Sequence, residues 1–580
     1  MAAEVALPLS AAPPARPGAS RAGWFALAAA GLLGAATLFI VFYPMLAIGL
    51  KALFPDGRMD PALWRETLGS VDLHVAVRNT AILAVCTTLV SVPLGTFFAW
   101  LIERTDARWG ALSRLLPVIP LLLPPVAMAI GWLFLADPRA GFLAKPLVGA
   151  FAALGIELDP TVLAIQSWPG LVFLYVLWAV PHVYVVTAAA FGNLDPSLEE
   201  AARMCGKGRL RCFWEVSLPS IRHAVGASVL MCMISSVGLY SIAALMGTAA
   251  RIDVLSVHIY RLLNFAYPPK TGHAVVIGLL LMVFIGSLWL LQRWFASRTG
   301  AATVGGMGVR PNLVTLGPWR WPARGLILLY VVLTSVLPLL ALFVVALQPF
   351  WRPAIVPSML GFANFAELAN ATVPRAAIAN STLLALLTSS GVVFVAGVLA
   401  VVANQLGGAA EKAMGIGTKM PSAIPHIVFA VGVLIAFGFA PFHLQGGFLI
   451  LLIAYLAVYL PTASITAESA VRQVGNQLVE ASRVFGASRG RTFWRIQLPL
   501  ILPGLAAGWA SIFALVLGEL NAAAILSGPR NPTIGYMILT LFDNGTYSQL
   551  AAIGSLIGVV SAVTVSFVLL FGRPRYHASA

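Results

Sequence analysis

The sequence predicts an all-α membrane protein with about twelve transmembrane helices, arranged as two tandem six-helix halves. Its composition is the first reason: 59% of the 580 residues are hydrophobic and only 10% are charged, against about 25% charged in a soluble domain. The mean hydropathy of +0.91 is the second reason, because the apolar runs reach the roughly 20 residues that a helix needs to cross a bilayer. These runs are continuous rather than alternating over about 10 residues, so they favour helices over a β-barrel.

Twelve apolar runs are predicted to be spans, at residues 24–50, 77–101, 114–136, 169–190, 225–247, 272–294, 324–347, 377–403, 421–440, 447–468, 506–527 and 550–572. With the N-terminus inside, most Lys and Arg residues fall in the inside loops, which is the positive-inside bias of membrane proteins. The net charge of +15 therefore indicates membrane orientation, and no nucleic-acid partner is expected. Cys86, Cys205, Cys212 and Cys232 show no spacing typical of a disulfide or a zinc site.

An internal repeat divides the chain. Asn79 recurs as Asn380, 301 positions later, whereas Tyr175 recurs as Tyr455, 280 positions later. The change of offset indicates an insertion in the first half, between about 132 and 174. An even number of spans per half gives both halves the same orientation, so we predict a parallel repeat related by pseudo-two-fold symmetry about the membrane normal. The predicted regions are a flexible cytoplasmic N-terminus at 1–23, a first half at 24–294, a cytoplasmic linker at 295–323 and a second half at 324–580.

A 20-residue polar cassette occurs once in each half. It runs EAARMCGKGRLRCFWEVSLP from Glu200 and EASRVFGASRGRTFWRIQLP from Glu480. Each copy has Gly at position +6, Phe-Trp at +13 and +14, and Leu-Pro at +18 and +19. Asp195-Pro196-Ser197 is typical of a helix start, and Gly206 and Gly486 are expected to end that helix. We call the two predicted helix–turn–helix segments the first elbow (196–219) and the second elbow (476–499).

These cassettes resemble the EAA loop of binding-protein-dependent ATP-binding-cassette (ABC) import permeases, and each half resembles one six-span permease. The resemblance implies that each elbow couples the permease to one of two cytoplasmic ATP-binding subunits, and that a periplasmic substrate-binding protein delivers the cargo. Two departures occur: Ser482 replaces the second Ala, and His223 stands where the second half has Pro503. The residues implied to contact the ATP-binding subunits are Glu200, Ala201, Ala202 and Gly206 in the first elbow, and Glu480, Ala481 and Gly486 in the second.

The chain contains no GxxxxGK[ST] phosphate-binding loop. ATP hydrolysis is therefore expected in a separate chain, and we predict a transport subunit with no catalytic residues, cofactor or metal site. The resemblance places it in the bacterial inner membrane as a multi-pass protein, in contact with lipid and with both termini cytoplasmic.

Intramembrane ionisable residues are candidates for the transport path. Glu519 is predicted to lie inside the eleventh span, followed by Asn521, and the matching first-half positions are Leu239, Tyr240 and Ser241. We predict that Glu519, Asn521, Tyr240 and Ser241 line the path, the alternative for Glu519 being a packing role. His182 and His426 adjoin Pro181 and Pro425, and packing roles are expected for both. Packing is also expected for Tyr175 and Tyr455, and bonds between helices for Asn79 and Asn380.

Fused permeases of this length resemble the ferric-iron branch of the family, which implies ferric iron as cargo. Permeases for 2-aminoethylphosphonate or thiamine share the architecture and stay open as alternatives, as do those for polyamine or sulfate. Two other classes are weighed against this interpretation. An ion-coupled secondary transporter is expected to show paired intramembrane acids rather than a docking cassette, and a polytopic membrane enzyme is expected to show acidic or His clusters at a membrane face.

Overall fold

The computed structural model describes residues 21–571 apart from positions 56, 154, 156, 158, 160, 162–163, 300–312, 407 and 475. Within that part of the chain the regular secondary structure is helical, with two isolated β-bridges, so the predicted all-α fold is confirmed. The predicted N-terminal segment 1–23 lies outside the described residues up to position 20. The centre of the predicted linker 295–323 also lies outside them.

The first half forms, in chain order, α1 (Arg21–Leu53), α2 (Pro61–Gly69), α3 (Val71–Arg104), α4 (Pro125–Ala136), α5 (Ala144–Ala153), α6 (Trp168–Gly192), α7 (Pro196–Met204), α8 (Arg209–Cys212), α9 (Leu218–Ser220), α10 (Arg222–Gly238), α11 (Leu255–Asn264) and α12 (Thr271–Thr299). Short 3-10 segments, Ala111–Arg114 and Leu116–Leu122, precede α4, and π-helical turns occupy Phe213–Ser217 and Ala243–Gly247.

The second half forms α13 (Arg320–Val331), α14 (Leu337–Leu347), α15 (Ala363–Asn370), α16 (Thr372–Leu406), α17 (Gly408–Lys419), α18 (His426–Val433), α19 (Phe448–Gln473), α20 (Asn476–Val484), α21 (Arg489–Thr492), α22 (Leu498–Leu517), α23 (Ala523–Leu526), α24 (Ile534–Asp543) and α25 (Tyr547–Phe571). A π-helical turn, Val332–Val336, joins α13 to α14, and others occupy Leu434–Gly438 and Phe493–Gln497. Short 3-10 segments are Gly317–Trp319, Pro357–Met359 and Met420–Ala423.

Nine helices of the described chain are long and apolar enough to cross a membrane, and two bent pairs raise that number to eleven. The bent pairs are Phe213–Ser220 with Arg222–Gly238, at 69°, and Glu411–Ala423 with His426–Gly438, at 98°. The remaining predicted span, 114–136, forms a 3-10 segment followed by α4, whose 12 residues are too few to cross alone. All twelve predicted spans therefore fall on helical segments.

Proline breaks the third span of each half at the same place. Pro124 precedes α4 and Pro425 precedes α18, and both have an extended backbone, with ψ of 134° and 137°. Proline has no N–H to donate and disfavours helical geometry in the residue before it. The 3-10 segments on the N-terminal side therefore end at Leu122 and Ala423, and an apolar helix begins afresh beyond each proline.

Equivalent glycine–proline contacts join the two halves. Gly238, at the end of α10, faces Pro425, and Gly518, just after α22, faces Pro124. A Cβ atom placed on these glycines would lie 3.5 Å and 2.5 Å from a carbon of the facing proline ring. These reciprocal contacts between repeat-related positions agree with the predicted pseudo-two-fold relation.

A second reciprocal contact involves the first span of each half. A Cβ atom on Gly131 of α4 would lie 2.5 Å from the backbone of Pro338 in α14, and one on Gly432 of α18 would lie 2.9 Å from the Pro44 carbonyl oxygen in α1. The first span of each half thus packs on the third span of the other half. The two predicted halves are therefore interlocked rather than side by side.

Asparagine side chains tie the second span of each half to a later segment. The Asn79 amide donates to the Asp253 carbonyl oxygen at 2.9 Å, and the Asn380 amide donates to the Pro532 carbonyl oxygen at 3.0 Å. Both acceptors lie in the non-helical segments just before α11 and α24, so each asparagine joins a helix to a loop and not, as predicted, to another helix.

Candidate functional site

The first elbow begins with a capped helix, as predicted. The Asp195 carboxylate accepts a hydrogen bond of 2.9 Å from the Ser197 backbone N–H, and Pro196 occupies the first helical position of α7. Hydrogen bonds from the Ser197 backbone and hydroxyl hold the pKa of Asp195 below its ordinary value. Gly206 follows the end of α7 with φ of 78°, the left-handed geometry that glycine adopts without steric cost.

The second elbow has the same outline and different internal contacts. Gly486 also has φ of 78°, and α20 and α21 repeat the geometry of α7 and α8. Ser482 replaces the buried Ala202 of the first elbow, and its hydroxyl is 2.9 Å from that of Thr492. The substitution of Ser for Ala therefore adds a hydrogen bond inside the second elbow.

A buried ion pair connects the first elbow to a membrane helix. Nη2 of Arg104, the last residue of α3, lies 2.7 Å from Oε2 of Glu199 in α7, and the two side chains are 2% and 1% exposed. The Ser217 hydroxyl donates to the same carboxylate at 2.6 Å, and Arg104 also donates to the Leu194 carbonyl oxygen at 3.3 Å. Buried charges are tolerated only when paired and hydrogen-bonded, and this pair meets both conditions.

The second elbow has no counterpart of this pair. The positions equivalent to Arg104, Glu199 and Ser217 are Gln405, Val479 and Gln497. None of them carries a charge, and Gln405 is exposed. Sequence analysis missed this asymmetry because Glu199 lies just before the repeated cassette and Arg104 is 95 positions away.

The outer surface of each elbow is formed by side chains of α7 and α20. Glu200 and Ala201 are exposed, as are Glu480 and Ala481, whereas Ala202 is buried within the elbow. Ala202 therefore packs inside the elbow. It was predicted to contact an ATP-binding subunit, but its side chain does not reach the surface.

Large apolar side chains project beside these residues and were not predicted. Met204 is 89% exposed, and Val484 and Phe485 are 84% and 90% exposed. Met204 and Val484 are equivalent positions four residues after Glu200 and Glu480, so they lie on the same helix face. The position of Met204 and Val484, four residues after the repeated Glu, could be read from the sequence. The residue type differs between the two copies, so the repeat did not single this position out.

A second cluster lies where the fifth span of the second half breaks. α22 ends at Leu517 and α23 begins at Ala523. The prediction that Glu519 lies inside a continuous span is therefore wrong, because the residue lies in the break between these helices. Its carboxylate accepts hydrogen bonds of 3.1 Å from the Asn521 amide and from the Ala522 backbone N–H. The exposed fraction of the Glu519 side chain is 1%, and the break supplies the backbone donor that solvates its charge.

His426 completes this cluster. Its Nδ1 is 3.2 Å from the Glu519 carboxylate, and its side chain is 40% exposed. His426, for which a packing role was predicted, therefore also has a polar partner, the Glu519 carboxylate. His182 has a different environment, because its Nδ1 contacts the Trp178 carbonyl oxygen at 3.1 Å and its ring packs on Trp178.

The cluster touches the seam between the halves. The Asn521 side-chain oxygen accepts a hydrogen bond of 3.2 Å from the Ser241 backbone N–H, and these two residues are themselves related by the repeat. The pseudo-two-fold axis therefore passes between them. Three of the predicted path residues, Glu519, Asn521 and Ser241, come together here.

Tyr240 and Tyr175 flank the same seam on the first-half side. Tyr240 is fully buried, and its hydroxyl has no hydrogen-bond partner among the described residues. The Tyr175 hydroxyl donates to the Leu239 carbonyl oxygen at 2.9 Å, which supports the predicted packing role. Leu239 and Pro125 occupy the positions equivalent to Glu519 and His426, so the first half has no acid or imidazole at this place.

Two interlocked helical halves with paired elbows and a polar cluster at their seam define a two-half membrane permease. The family model of the binding-protein-dependent transport system inner membrane component matches residues 80–301 and again residues 393–573. The chain therefore belongs to this family, with one family domain in each half. It is a multi-pass component of a bacterial inner-membrane ABC importer, as the sequence predicted.

Relatives named for iron transport cover most of the chain. It is 22% identical over 556 residues to the ferric transport system permease protein FbpB of Actinobacillus pleuropneumoniae, covering 93% of this chain and 77% of the relative. It is 23% identical over 500 residues to the Fe(3+)-transport system permease protein FbpB 2 of Haemophilus influenzae, covering 84% and 88%. A shorter match, 32% identical over 151 residues, is the molybdenum transport system permease protein ModB of Escherichia coli, covering 26% and 61%.

Proposed function

We propose that the two elbows dock two separate cytoplasmic ATP-binding subunits and pass their motion to the seam between the halves. The supporting observation is the repeated exposed surface: an acid, a small residue and large apolar side chains at equivalent positions of α7 and α20. Six spans separate the elbows, an even number, so both lie on one membrane face, which we call the elbow face. An exposed apolar surface rimmed by polar residues is typical of a protein-binding site.

Charge reversal tests this docking proposal. Glu200→Arg combined with Glu480→Arg should release the ATP-binding subunits during purification and abolish uptake, while the permease stays in the membrane. Glu66→Arg is the matched control, because Glu66 is 70% exposed on α2 and lies far from both elbows in the sequence. Retention of the ATP-binding subunits by the double variant would refute the proposal.

The orientation follows from the same proposal, with both elbows and both termini in the cytoplasm. Cys205 is exposed at the tip of the first elbow, whereas Cys212 and Cys232 are buried. In spheroplasts, a membrane-impermeant maleimide should label the protein at Cys205 only after permeabilisation, with Cys205→Ser as the control. Labelling of Cys205 in intact spheroplasts would place the elbows outside.

We further propose ferric iron as the cargo, delivered by a periplasmic binding protein. Two observations support this: relatives named for ferric transport cover most of the chain, and the seam presents an acid suited to a cationic cargo. The test is uptake of radiolabelled ferric iron by proteoliposomes that contain the permease, the ATP-binding subunits and the cognate binding protein. Uptake of 2-aminoethylphosphonate or thiamine instead of iron would transfer the assignment to those cargoes.

Glu519 is the residue on which the path proposal rests. Glu519→Gln keeps the size of the side chain and removes its charge, so transport should fall by roughly tenfold or more while assembly is unchanged. Leu239→Met, at the equivalent first-half position, is the control and should transport normally. Normal uptake by Glu519→Gln would return Glu519 to a packing role.

A further inference from the structure

A cavity of about 320 Å³ opens at the elbow face of the second half. It lies between the ends of α12, α16 and α19 and the helix α17, and Arg472 on its wall is four residues before α20 of the second elbow. Its polar and charged lining residues are Arg293, Asn404, Glu411, Lys412, Lys419, Glu468 and Arg472.

The charges around this cavity do not cancel. Lys419 pairs with Glu468 at 2.6 Å, and Arg472 pairs with Glu411 at 3.3 Å. These pairs use both acids of the lining, so Arg293 and Lys412 remain as surplus positive charge. Two surplus cations in a concave site favour an anion, because a low-dielectric wall concentrates their field.

The first half shows the same region closed. The positions equivalent to Ala400, Ala403 and Gly408 are Ala99, Ile102 and Ala107; these three are 0% exposed, whereas Ala400 and Ala403 are 8% exposed and Gly408 is exposed. Arg324 of α13 covers the Ala107 end of this region, where it donates to the Ala107 carbonyl oxygen at 2.9 Å.

A backbone pairing holds this cover in place. The Asp106 N–H donates to the Val314 carbonyl oxygen at 3.1 Å, and the Val314 N–H donates to the Arg104 carbonyl oxygen at 2.9 Å. The described residues give the second half no equivalent cover. Among the described residues the cavity therefore belongs to the second half, and at the equivalent place in the first half Arg324 and Val314 contact the chain.

From the surplus positive charge of this cavity we propose that it binds a phosphate ester, with Arg293 and Lys412 as its principal ligands. Two sources present this chemistry: the headgroup of an anionic phospholipid and a soluble phosphate ester. The cavity lies at the ends of membrane helices, and Trp289, whose ring lies 5.5 Å from the Arg293 guanidinium, is the residue type that marks the headgroup level. Basic pockets between membrane helices at this level bind anionic headgroups, so the lipid is the expected source.

The test compares lipid retention by the full permease and by Arg293→Gln/Lys412→Gln. This double variant removes the two surplus charges and leaves both ion pairs intact, so the fold is retained. In native mass spectrometry from nanodiscs of phosphatidylcholine and phosphatidylglycerol, the wild-type protein should keep one phosphatidylglycerol that the variant binds at least about tenfold more weakly. Arg222→Gln removes an exposed basic residue at the start of α10 and should bind this lipid like the wild type.

A second arm identifies the source of the phosphate. In nanodiscs of phosphatidylcholine alone, millimolar glycerol 1-phosphate should leave the thermal midpoint unchanged if the lipid is the ligand. An upward shift for the wild type that the double variant lacks would support the same site with a soluble ester as its ligand. Equal phosphatidylglycerol retention by wild type and double variant, with no shift by the soluble ester, would overturn the proposal.

Discussion

The first elbow is joined to the membrane helices by a buried ion pair, whereas the second elbow, built on the same outline, has uncharged residues at the equivalent positions. Arg104 and Glu199 hold the first elbow to the end of α3, and the second half has Gln405 and Val479 at those positions. The seam shows the opposite distribution, because Glu519 and His426 belong to the second half alone. Duplication thus preserved the shape of both halves while each acquired its own buried charges.

The largest expected effect comes from breaking the ion pair of the first elbow. Glu199→Ala leaves Arg104 buried without a counter-charge, which typically costs about 3–5 kcal/mol. We expect the first elbow to detach and uptake to be lost. Val479→Ala, the equivalent change in the second elbow, is the control and should cost about 1 kcal/mol or less, as most substitutions away from buried networks do. Thermal unfolding and uptake assays measure both variants. Equal losses in Glu199→Ala and Val479→Ala would contradict the difference between the two elbows.

Substitution of the two seam glycines by alanine should also have unequal effects on stability. A Cβ on Gly518 would meet the Pro124 ring at 2.5 Å, but one on Gly238 would lie 3.5 Å from the Pro425 ring. Gly518→Ala should therefore destabilise by about 1–3 kcal/mol, as overpacking does, and Gly238→Ala should be close to neutral. Thermal midpoints in detergent measure the difference, and a larger loss for Gly238→Ala would contradict the observed seam.

Ser217→Ala tests the hydroxyl that supports the ion pair. It removes the 2.6 Å hydrogen bond to Glu199, and hydrogen bonds to charged groups contribute about 1.5–3 kcal/mol. The expected loss of stability is at the lower end of that range, because Arg104 still neutralises the carboxylate. Gln497→Ala is the matched control, and a loss as large in that variant would show that the position, not the ion pair, matters.

The smallest expected effect is a gain of local stability in the second elbow. Gln405→Arg combined with Val479→Glu places the ion pair of the first half into the second, and Gln497→Ser adds the supporting hydroxyl. Hydrogen exchange of the amides in α20 should slow towards that of α7, because local opening then breaks a buried pair. Unchanged exchange in α20 would show that the ion pair does not set the stability of an elbow.

Much of the architecture could be predicted from sequence because lipid imposes strong local rules. Every backbone polar group in the bilayer must be satisfied within the chain, so the long apolar runs could form only helices, and all twelve fell on helical segments. The helix starts and the glycine turns of the elbows were predictable for a similar reason, since capping and positive φ are decided by near neighbours.

Other features depended on residues far apart in the chain. Glu519 was placed inside a helix from its apolar flanks, but α22 ends at Leu517, where Gly518 meets Pro124 across the seam. Ala202 was grouped with exposed neighbours by its motif, although the packing of α7 on the rest of the elbow turns it inward. Glu199 lay one position outside the repeat and therefore carried no repeat signal.

The sequence by itself determined the helical membrane fold, the two-half repeat and the two elbows, because hydropathy, helix capping and duplication each produce local or periodic sequence patterns. The tertiary structure alone decided which charges come together: Arg104 with Glu199 in a buried pair, the partly exposed His426 with Glu519, and the surplus pair of exposed cations around the cavity. Electrostatic partners interact over a few ångströms in space, whatever their separation along the chain, so only the packed helices bring them together.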